Sequence, residues 1–198
     1  MRFRTFCINN RHIYYREILS SDPIFEKFYL IENPEQMEVI AIPDGSIDFE
    51  FTWEKNTCRG YVCGSFLQGQ KSAVSRYRQC FGLRLRWNMR FCFLGKSMVG
   101  LVDRRIPLSD YLDVSFLEKR LCGCSELEEM LEETLEFFKD QHYYTLPVIA
   151  CNAVQMITQS TGAQRVSDIA DLMGYTQHYV NSIFKQNYGV PLKKYSDI

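Results

Sequence analysis

The sequence predicts an α+β chain in which a β-rich N-terminal domain, a small barrel or a sandwich, is followed by an all-α unit. Short segments of residues 1–120 alternate apolar and polar side chains between turn signals, as half-buried strands do. A helical pattern with one apolar face spans residues 125–141. Further helical patterns, with capping residues and a tight turn, fill residues 146–198. We therefore expect domains at residues 1–142 and 146–198.

The composition favours a packed core over disorder, because 46% of the 198 residues are hydrophobic and 14% are aromatic. No run of 18 apolar residues exists, so we expect no membrane-spanning helix. The N-terminal residues lack the long apolar core of a signal peptide. These features predict a cytoplasmic protein without a membrane partner.

Two segments carry the clearest strand patterns. Residues 46–53 place aliphatic and aromatic side chains on one face and acidic side chains or threonine on the other. Residues 81–87 alternate in the same way, with arginines on the polar face. Further strands are predicted at residues 40–42, ahead of an Asp-Gly turn, and at residues 61–64 and 73–77.

The polar faces of these two strands carry Asp48, Glu50, Arg84 and Arg86. If the strands pair, these residues form cross-strand ion pairs on a solvent-exposed face. If that face instead lines the interior of a barrel, the same four residues are candidates for binding a small-molecule ligand. The sequence leaves both interpretations open.

Metal binding and cofactor binding are not indicated. Of the eight cysteines, only Cys122 and Cys124 lie close together in sequence, and there is no Cys-x-x-Cys motif. The histidines at positions 12, 142 and 178 are scattered. In a cytoplasmic chain we expect the cysteines to be reduced and mostly buried. The prediction is therefore no metal, no cofactor and no disulfide framework.

An amphipathic helix is predicted from Ser125 to Gln141, with glutamates in its first turn and on its polar face. Its apolar face consists of Leu127, Met130, Leu131, Leu135 and Phe138. That face either packs on the protein's own sheet or forms a dimer contact. Residues 143–145 are expected to be a hinge, and another helix is predicted over residues 146–159.

The segment from Val166 to Lys185 has the pattern of two short helices joined by a tight turn. Ser167 can cap the first helix and Thr176 the second, because each hydroxyl can accept a hydrogen bond from an otherwise unpaired helix N–H. Gly174 lies between them, where the chain must reverse and a positive φ is expected. The apolar stripes are Ile169, Ala170 and Met173, and Val180, Ile183 and Phe184. This pattern is typical of a helix-turn-helix, whose second helix enters the DNA major groove.

The same segment resembles the DNA-binding domain of AraC-type transcription regulators, a bacterial family. The matching positions are Ile169-Ala170, Met173-Gly174-Tyr175-Thr176, Tyr179-Val180, Phe184-Lys185, Gly189 and Tyr195. The resemblance covers about residues 146–198. The family domain carries two such repeats joined by a long helix, and only the first is recognised here. The resemblance therefore implies a DNA-binding unit that is incomplete.

A resemblance also extends to the N-terminal part. It is carried by Pro43-Asp44-Gly45, Asp48-Phe49, Gly64, Gly82-Leu83-Arg84-Leu85 and Leu108-Ser-Asp-Tyr-Leu. These motifs are similar to the N-terminal sensing domains of some uncharacterised AraC-type regulators. Trp87-Asn88 stands where those domains have Pro-Gly, so the turn after that strand is expected to differ.

If Thr176 caps the second helix, its first turn projects Gln177 and His178 and the next turn presents Asn181 and Ser182, with residues 178, 181 and 182 on one exposed face. These four residues are the candidates for contacts to base edges. Thr176 and Lys185 complete the predicted DNA-binding set, with Lys185 at a position suited to a phosphate contact or to the core. The family often carries arginine at the position of Ser182, so the resemblance implies weaker DNA binding in this chain.

The leading hypothesis is a sequence-specific, DNA-binding transcription regulator of the AraC type, and not an enzyme. Its N-terminal domain would sense a ligand or mediate homodimer formation, and its partner would be double-stranded DNA. The alternative is a truncated regulator that has lost DNA binding and acts by protein–protein interaction on full-length relatives. An enzyme is disfavoured, because no nucleophile, phosphate-binding loop or metal cluster accompanies the carboxylates of residues 48 and 50.

Overall fold

The computed structural model describes residues 6–7 and 12–197, and side chains from residue 12 onward. The chain is mixed α/β: a region rich in β-sheet comes first and a run of helices follows. The strands are β1 (Phe6–Cys7), β2 (Tyr14–Leu19), β3 (Phe25–Glu32), β4 (Ile40–Ala41), β5 (Asp48–Glu54), β6 (Thr57–Cys63), β7 (Gln70–Lys71), β8 (Gln79–Leu85), β9 (Met89–Phe91), β10 (Arg105–Pro107) and β11 (Tyr143–Thr145). The helices are α1 (Ser115–Leu121), α2 (Leu127–Phe138), α3 (Val148–Gln159), α4 (Val166–Leu172), α5 (Gln177–Tyr188) and α6 (Leu192–Ser196).

The largest sheet has six strands in the order β10-β6-β5-β8-β3-β2, and every neighbouring pair is antiparallel. β5 lies inside this sheet, between β6 and β8. The strand predicted at residues 46–53 corresponds to β5, and those predicted at 81–87 and 61–64 overlap β8 and β6.

One face of the six-stranded sheet packs against α1 and α2. Its aromatic side chains include Phe49, Phe51 and Phe81, and they form a single core with residues of both helices, such as Leu117 and Phe138. Most of the predicted apolar face of α2 is part of that core or packs against it. The amphipathic helix therefore packs on its own sheet, the first of the two alternatives.

The opposite face of the sheet is also covered. A small sheet in the order β1-β4-β7 lies there, and a second cluster joins Tyr29 and Ile31 of β3 to Val39, Ala41 and Val74. The central strand β5 is consequently buried on both sides. Of the two interpretations of its polar face, the one with a solvent-exposed face is wrong, because the second layer covers that face.

Three local predictions for the β-rich region are also corrected. Residues 73–77, predicted as a strand, begin with a 3₁₀ turn at Ala73–Ser75 that the side chain of Ser72 caps. Helix α1 lies in a part of the chain that was expected to hold strands and turns. Residues 143–145, expected to be a hinge, form β11 and pair with β9. A backbone ladder therefore ties the start of the helical unit to the β-rich region.

The helical unit, residues 146–197, has a core of its own. It buries Ile169, Ala170, Val180 and Phe184, which belong to the two apolar stripes of the sequence pattern, together with Ala153 of α3. Gly174 adopts φ 73° in the turn between α4 and α5, as its position predicted. Ser167 does not cap α4, because that helix begins after Arg165 and the Ser167 hydroxyl donates to Asp168. No described helix is long and apolar enough to cross a membrane.

Gly82 is expected to be indispensable for the packing of the central strands. A Cβ atom at this position would lie 1.9 Å from Cζ of Tyr29, whose ring crosses over β8. Gly82→Ala should therefore destabilise the protein by about 1–3 kcal/mol through overpacking, measured by urea denaturation. Gly100→Ala is the control, because a Cβ there meets nothing within 4 Å. Equal unfolding free energies for the two variants would contradict this account.

Candidate nucleic-acid interface

The start of α5 is fixed by a side-chain cap. Thr176 has extended backbone angles, and its hydroxyl oxygen accepts a hydrogen bond from Tyr179 N at 3.3 Å. The predicted cap at Thr176 is thus confirmed. Since its hydroxyl satisfies one of the otherwise unpaired N–H groups of the helix, Thr176 orients the first turn of α5.

The inner side of α5 packs on α4. Val180 and Phe184 have no exposed surface, and neither does Ala170 of α4, which faces them in the same core. A small residue at position 170 allows the two helices to approach closely. Packing on one side and the cap at Thr176 together determine which side chains of α5 point to solvent.

The outward side of α5 carries Gln177, His178, Ser182 and Lys185, all of which are exposed. Residues 178, 182 and 185 follow helical spacing and lie along one face. None of these four side chains makes an ion pair or hydrogen bond with another described residue. They are free to contact a partner, and among them they can donate and accept hydrogen bonds and supply one cation.

Asn181 is arranged differently from its neighbours. It is half-buried, and its side-chain oxygen accepts a hydrogen bond from Leu192 N at 2.9 Å. This bond joins α5 to the first turn of α6. Asn181, which was predicted to contact bases, therefore forms a hydrogen bond within the protein, and this bond occupies its side-chain oxygen.

The carboxyl-terminal end of α5 is docked on the β-rich region. Met98 N donates to Gln186 O at 2.9 Å, and the Tyr188 hydroxyl donates to Trp87 O at 3.1 Å. Farther along the chain, Tyr195 of α6 lies against the turn at Gly45, where a Cβ atom would come within 2.4 Å of the tyrosine ring. The amino-terminal half of α5 is open to solvent, whereas its other end is held.

Arg90 lies at this junction as a buried cation. It is 2% exposed, and its Nη1 donates to the carbonyl oxygens of Met89 at 2.6 Å and Trp87 at 3.4 Å. The guanidinium also lies 5.4 Å from the ring centre of Tyr188. Burial lowers the pKa of Arg90, and no described carboxylate is within ion-pair distance of it. Backbone oxygens and an aromatic ring take the place of a counter-ion.

The polar residues predicted on β5 and β8 meet inside the protein. Arg84 makes a two-pronged ion pair with Asp48, with both N–O distances at 2.9 Å, and its third nitrogen lies 2.6 Å from Asp44 Oδ2. The Tyr29 hydroxyl donates to Asp48 at 3.1 Å. Burial acts to lower the pKa of Arg84, but Asp48 and Asp44 outweigh it and raise that pKa well above its ordinary value. The cross-strand pair is confirmed, but it is buried and not on a solvent-exposed face.

Glu50 does not pair with an arginine of β8. Its partner is Arg105 of β10, with Arg105 Nε at 3.3 Å from Glu50 Oε2. The Arg105 guanidinium also lies 3.3 Å from the ring centre of Tyr61. Arg86 instead donates to the carbonyl oxygens of Ser20 and Asp22, both at 2.9 Å. Sequence reasoning missed Arg105, because β10 has only three residues and shows no readable alternation.

Two of the predicted ligand-binding residues, Glu50 and Arg84, line separate cavities, and Asp48 and Arg86 line neither of these two. Glu50 and Arg105 line a cavity of about 250 Å³ inside the β-rich region. Arg84 and Asp44 line a more open cleft of about 900 Å³, whose other wall includes Tyr195 and residues of α3. Within the described part of the chain, no group of three or more His, Cys, Asp or Glu side chains could hold a metal ion.

No protein-family model, no curated protein and no solved structure matches this chain.

The bond from Asn181 to α6 is expected to contribute to stability. Asn181→Ala removes the acceptor for Leu192 N and should lower the free energy of unfolding by about 1 kcal/mol. Ser182→Ala is the matched control on the next, exposed position and should change it by no more than about 0.5 kcal/mol. Urea denaturation of both variants measures the difference, and equal effects would show that the bond contributes nothing.

A pH dependence follows from the burial of Glu50. Burial raises its pKa, and Arg105 opposes that rise without cancelling it. The folded protein therefore holds this proton more tightly than the unfolded chain, so this group's contribution to stability falls as pH rises above the ordinary carboxyl pKa. Glu50→Gln should gain stability relative to the wild type between about pH 4 and pH 7, in urea titrations at each pH. The wild type in the same titrations is the reference, and a trend of opposite sign for Glu50→Gln would refute the raised pKa of Glu50.

Proposed function

We propose that the protein is a sequence-specific, DNA-binding transcription regulator of the AraC type. The observation that carries the proposal is the geometry of α5. Its first turns are capped and open, with Gln177, His178 and Ser182 pointing to solvent, and its inner side is packed on α4. A helix held in this way can place its amino-terminal residues in the major groove of DNA.

The chemistry of the exposed side chains fits contacts to base edges. Gln177 can bond an adenine with both atoms of its amide, and His178 can donate to guanine N7 or O6. Lys185 lies farther along the same face, where a phosphate contact is expected. The role of Asn181 in this proposal is to hold α6 against α5 through Leu192 N.

The charge of the helical unit limits how tightly one copy can bind. Residues 146–198 contain four Lys or Arg and three Asp or Glu. Since phosphate neutralisation supplies most of the affinity for DNA, a single unit should bind weakly. We infer that tight binding requires a second DNA-binding unit, from a homodimer partner or a second repeat.

In this proposal the β-rich region senses a small molecule or mediates dimer formation. The cleft of about 900 Å³ is the better candidate for a ligand that acts on DNA binding, because its lining includes Arg84 and Asp44 on one side and Tyr195 of the helical unit on the other. A ligand in this cleft touches both parts of the protein. If the ligand binds more tightly to one relative arrangement of the two parts than to another, its binding is coupled to that arrangement.

A second function is favoured by one observation on the helical unit. Val148 and Leu172 are 71% and 68% exposed, and they border a groove of mixed character whose lining includes Met156, Met173 and Tyr175 as well as Asn152, Gln155 and Gln159. A surface with exposed apolar side chains of this kind suits a protein partner. In this alternative the chain has lost DNA binding and acts by protein–protein interaction on full-length relatives.

A mobility-shift titration across salt concentrations separates the two functions. The DNA-binding function predicts weak binding to duplex DNA, with a logarithmic affinity that falls by about 0.9 per logarithmic unit of salt for each neutralised phosphate. Absence of any salt-dependent binding at low salt would contradict that function and favour the protein–protein alternative.

Ser182→Arg sharpens the same experiment. An arginine on the exposed face of α5 should strengthen binding by about tenfold or more on duplexes that offer a guanine, since a two-pronged contact contributes about 1–3 kcal/mol. Asn56→Arg, in the turn between β5 and β6, adds the same charge at the end of β5 remote from the Gly45 turn and should not reproduce the gain. Equal gains for both variants would mean that only net charge matters.

A further inference from the structure

A loop of the β-rich region lies beside α5, the helix proposed to enter the major groove of DNA. Residues 95–99 follow a 3₁₀ turn, and Met98 is buried while its N–H donates to Gln186 O of α5 at 2.9 Å. Lys96 and Gln186 line the same groove, of about 430 Å³. The loop is therefore anchored to α5 by a buried residue and leaves Lys96 exposed next to the helix.

The two segments that meet beside Lys96 carry lysine and no acidic residue. Residues 91–102 contain no Asp or Glu, and neither does α5, which contributes Lys185. Neither lysine makes an ion pair with a described residue. Residues 91–102 and α5, one segment from each part of the protein, thus carry the unpaired cations Lys96 and Lys185 and no carboxylate. A surface that binds phosphates has this electrostatic character.

The length of α5, compared with the width of the major groove, indicates which part of the DNA its carboxyl-terminal end can contact. The helix has 12 residues, about 18 Å at 1.5 Å per residue, whereas the major groove is about 12 Å wide. When the first turns of α5 contact bases and the helix crosses the groove, its last turn reaches the wall of the groove, where the phosphates are. The loop that carries Lys96 is fixed at that end of the helix.

We propose that the DNA-contacting surface extends onto the β-rich region, and that Lys96 contacts a backbone phosphate beside the groove that α5 enters. This inference rests on the proposed DNA-binding function. It assigns the β-rich region a direct part in binding DNA. Lys96 also adds a cation to a DNA-contacting surface on which the helical unit has few cations. The β-rich region and the helical unit then act as one binding surface as long as they stay docked.

The test compares Lys96→Gln with Lys55→Gln in the full chain. Lys55 is an exposed lysine in the turn between β5 and β6, at the end of β5 opposite the one next to Gly45. Duplexes of several sequences are titrated by mobility shift at a series of salt concentrations. Lys96→Gln should weaken binding about tenfold near 0.05 M salt, equally for every sequence, and reduce the salt slope by about 1. Lys55→Gln should match the wild type.

Two further measurements separate the possible outcomes. A cation near the end of a helix can also stabilise the helix itself, so thermal unfolding of Lys96→Gln is measured to detect any loss of stability. Lys96→Arg keeps the positive charge and should bind DNA as the wild type does. If the wild type binds DNA and Lys96→Gln binds with the same slope and affinity, the inference is overturned while the proposed function stands. If the wild type shows no salt-dependent binding, the proposed function fails and the inference fails with it.

Discussion

The ion pair between Arg84 and Asp48 is the interaction on which the arrangement of the β-rich region depends. β5 is covered on both faces, so Asp48 and Glu50 are buried and have little access to water. Desolvating a carboxylate costs far more than an ordinary polar contact returns, so it must be paired and hydrogen-bonded. Arg84, directly opposite Asp48 in the register of β8 and β5, supplies two of those bonds, and Tyr29 supplies a third.

Several other features follow from this pair. Gly82 leaves the space above β8 into which the Tyr29 ring must fit in order to reach Asp48. The third nitrogen of Arg84 holds Asp44, which places the following turn at Gly45. That turn is where Tyr195 of the helical unit makes its close approach. A charge buried in the sheet is thus connected, through successive contacts, to the last helix.

The helical unit is held by the β-rich region on one side only. β11 pairs with β9, Gln186 and Tyr188 of α5 bond to backbone groups of the β-rich region, and Arg90 fills the space between them. All of these contacts lie at the carboxyl-terminal end of α5 or behind it. The exposed first turns of α5 therefore lie at the opposite end of the helix from these contacts.

Local sequence patterns predicted much of the helical unit and part of the sheet. The cap at Thr176, the turn at Gly174 and the two apolar stripes are set by hydrogen bonds and side-chain spacing within a few residues, so they can be read from the chain. β5 and β8 were predicted for the same reason. The strand expected at residues 73–77 was wrong, because a segment of five residues without clear alternation fits a 3₁₀ turn as well as a strand.

What the sequence alone determined is the presence of helices α2 to α5 and of strands such as β5 and β8, and most of the residues of α5 that face outward. Only the tertiary structure decided where the charged residues lie, since the second layer over β5 comes from short strands and loops with no period of their own. It also decided that Glu50 meets Arg105, that Asn181 bonds to Leu192, and that residues 143–145 form a strand. These outcomes depend on partners far away in sequence, and no local pattern specifies a partner that folding brings near only when the whole chain packs.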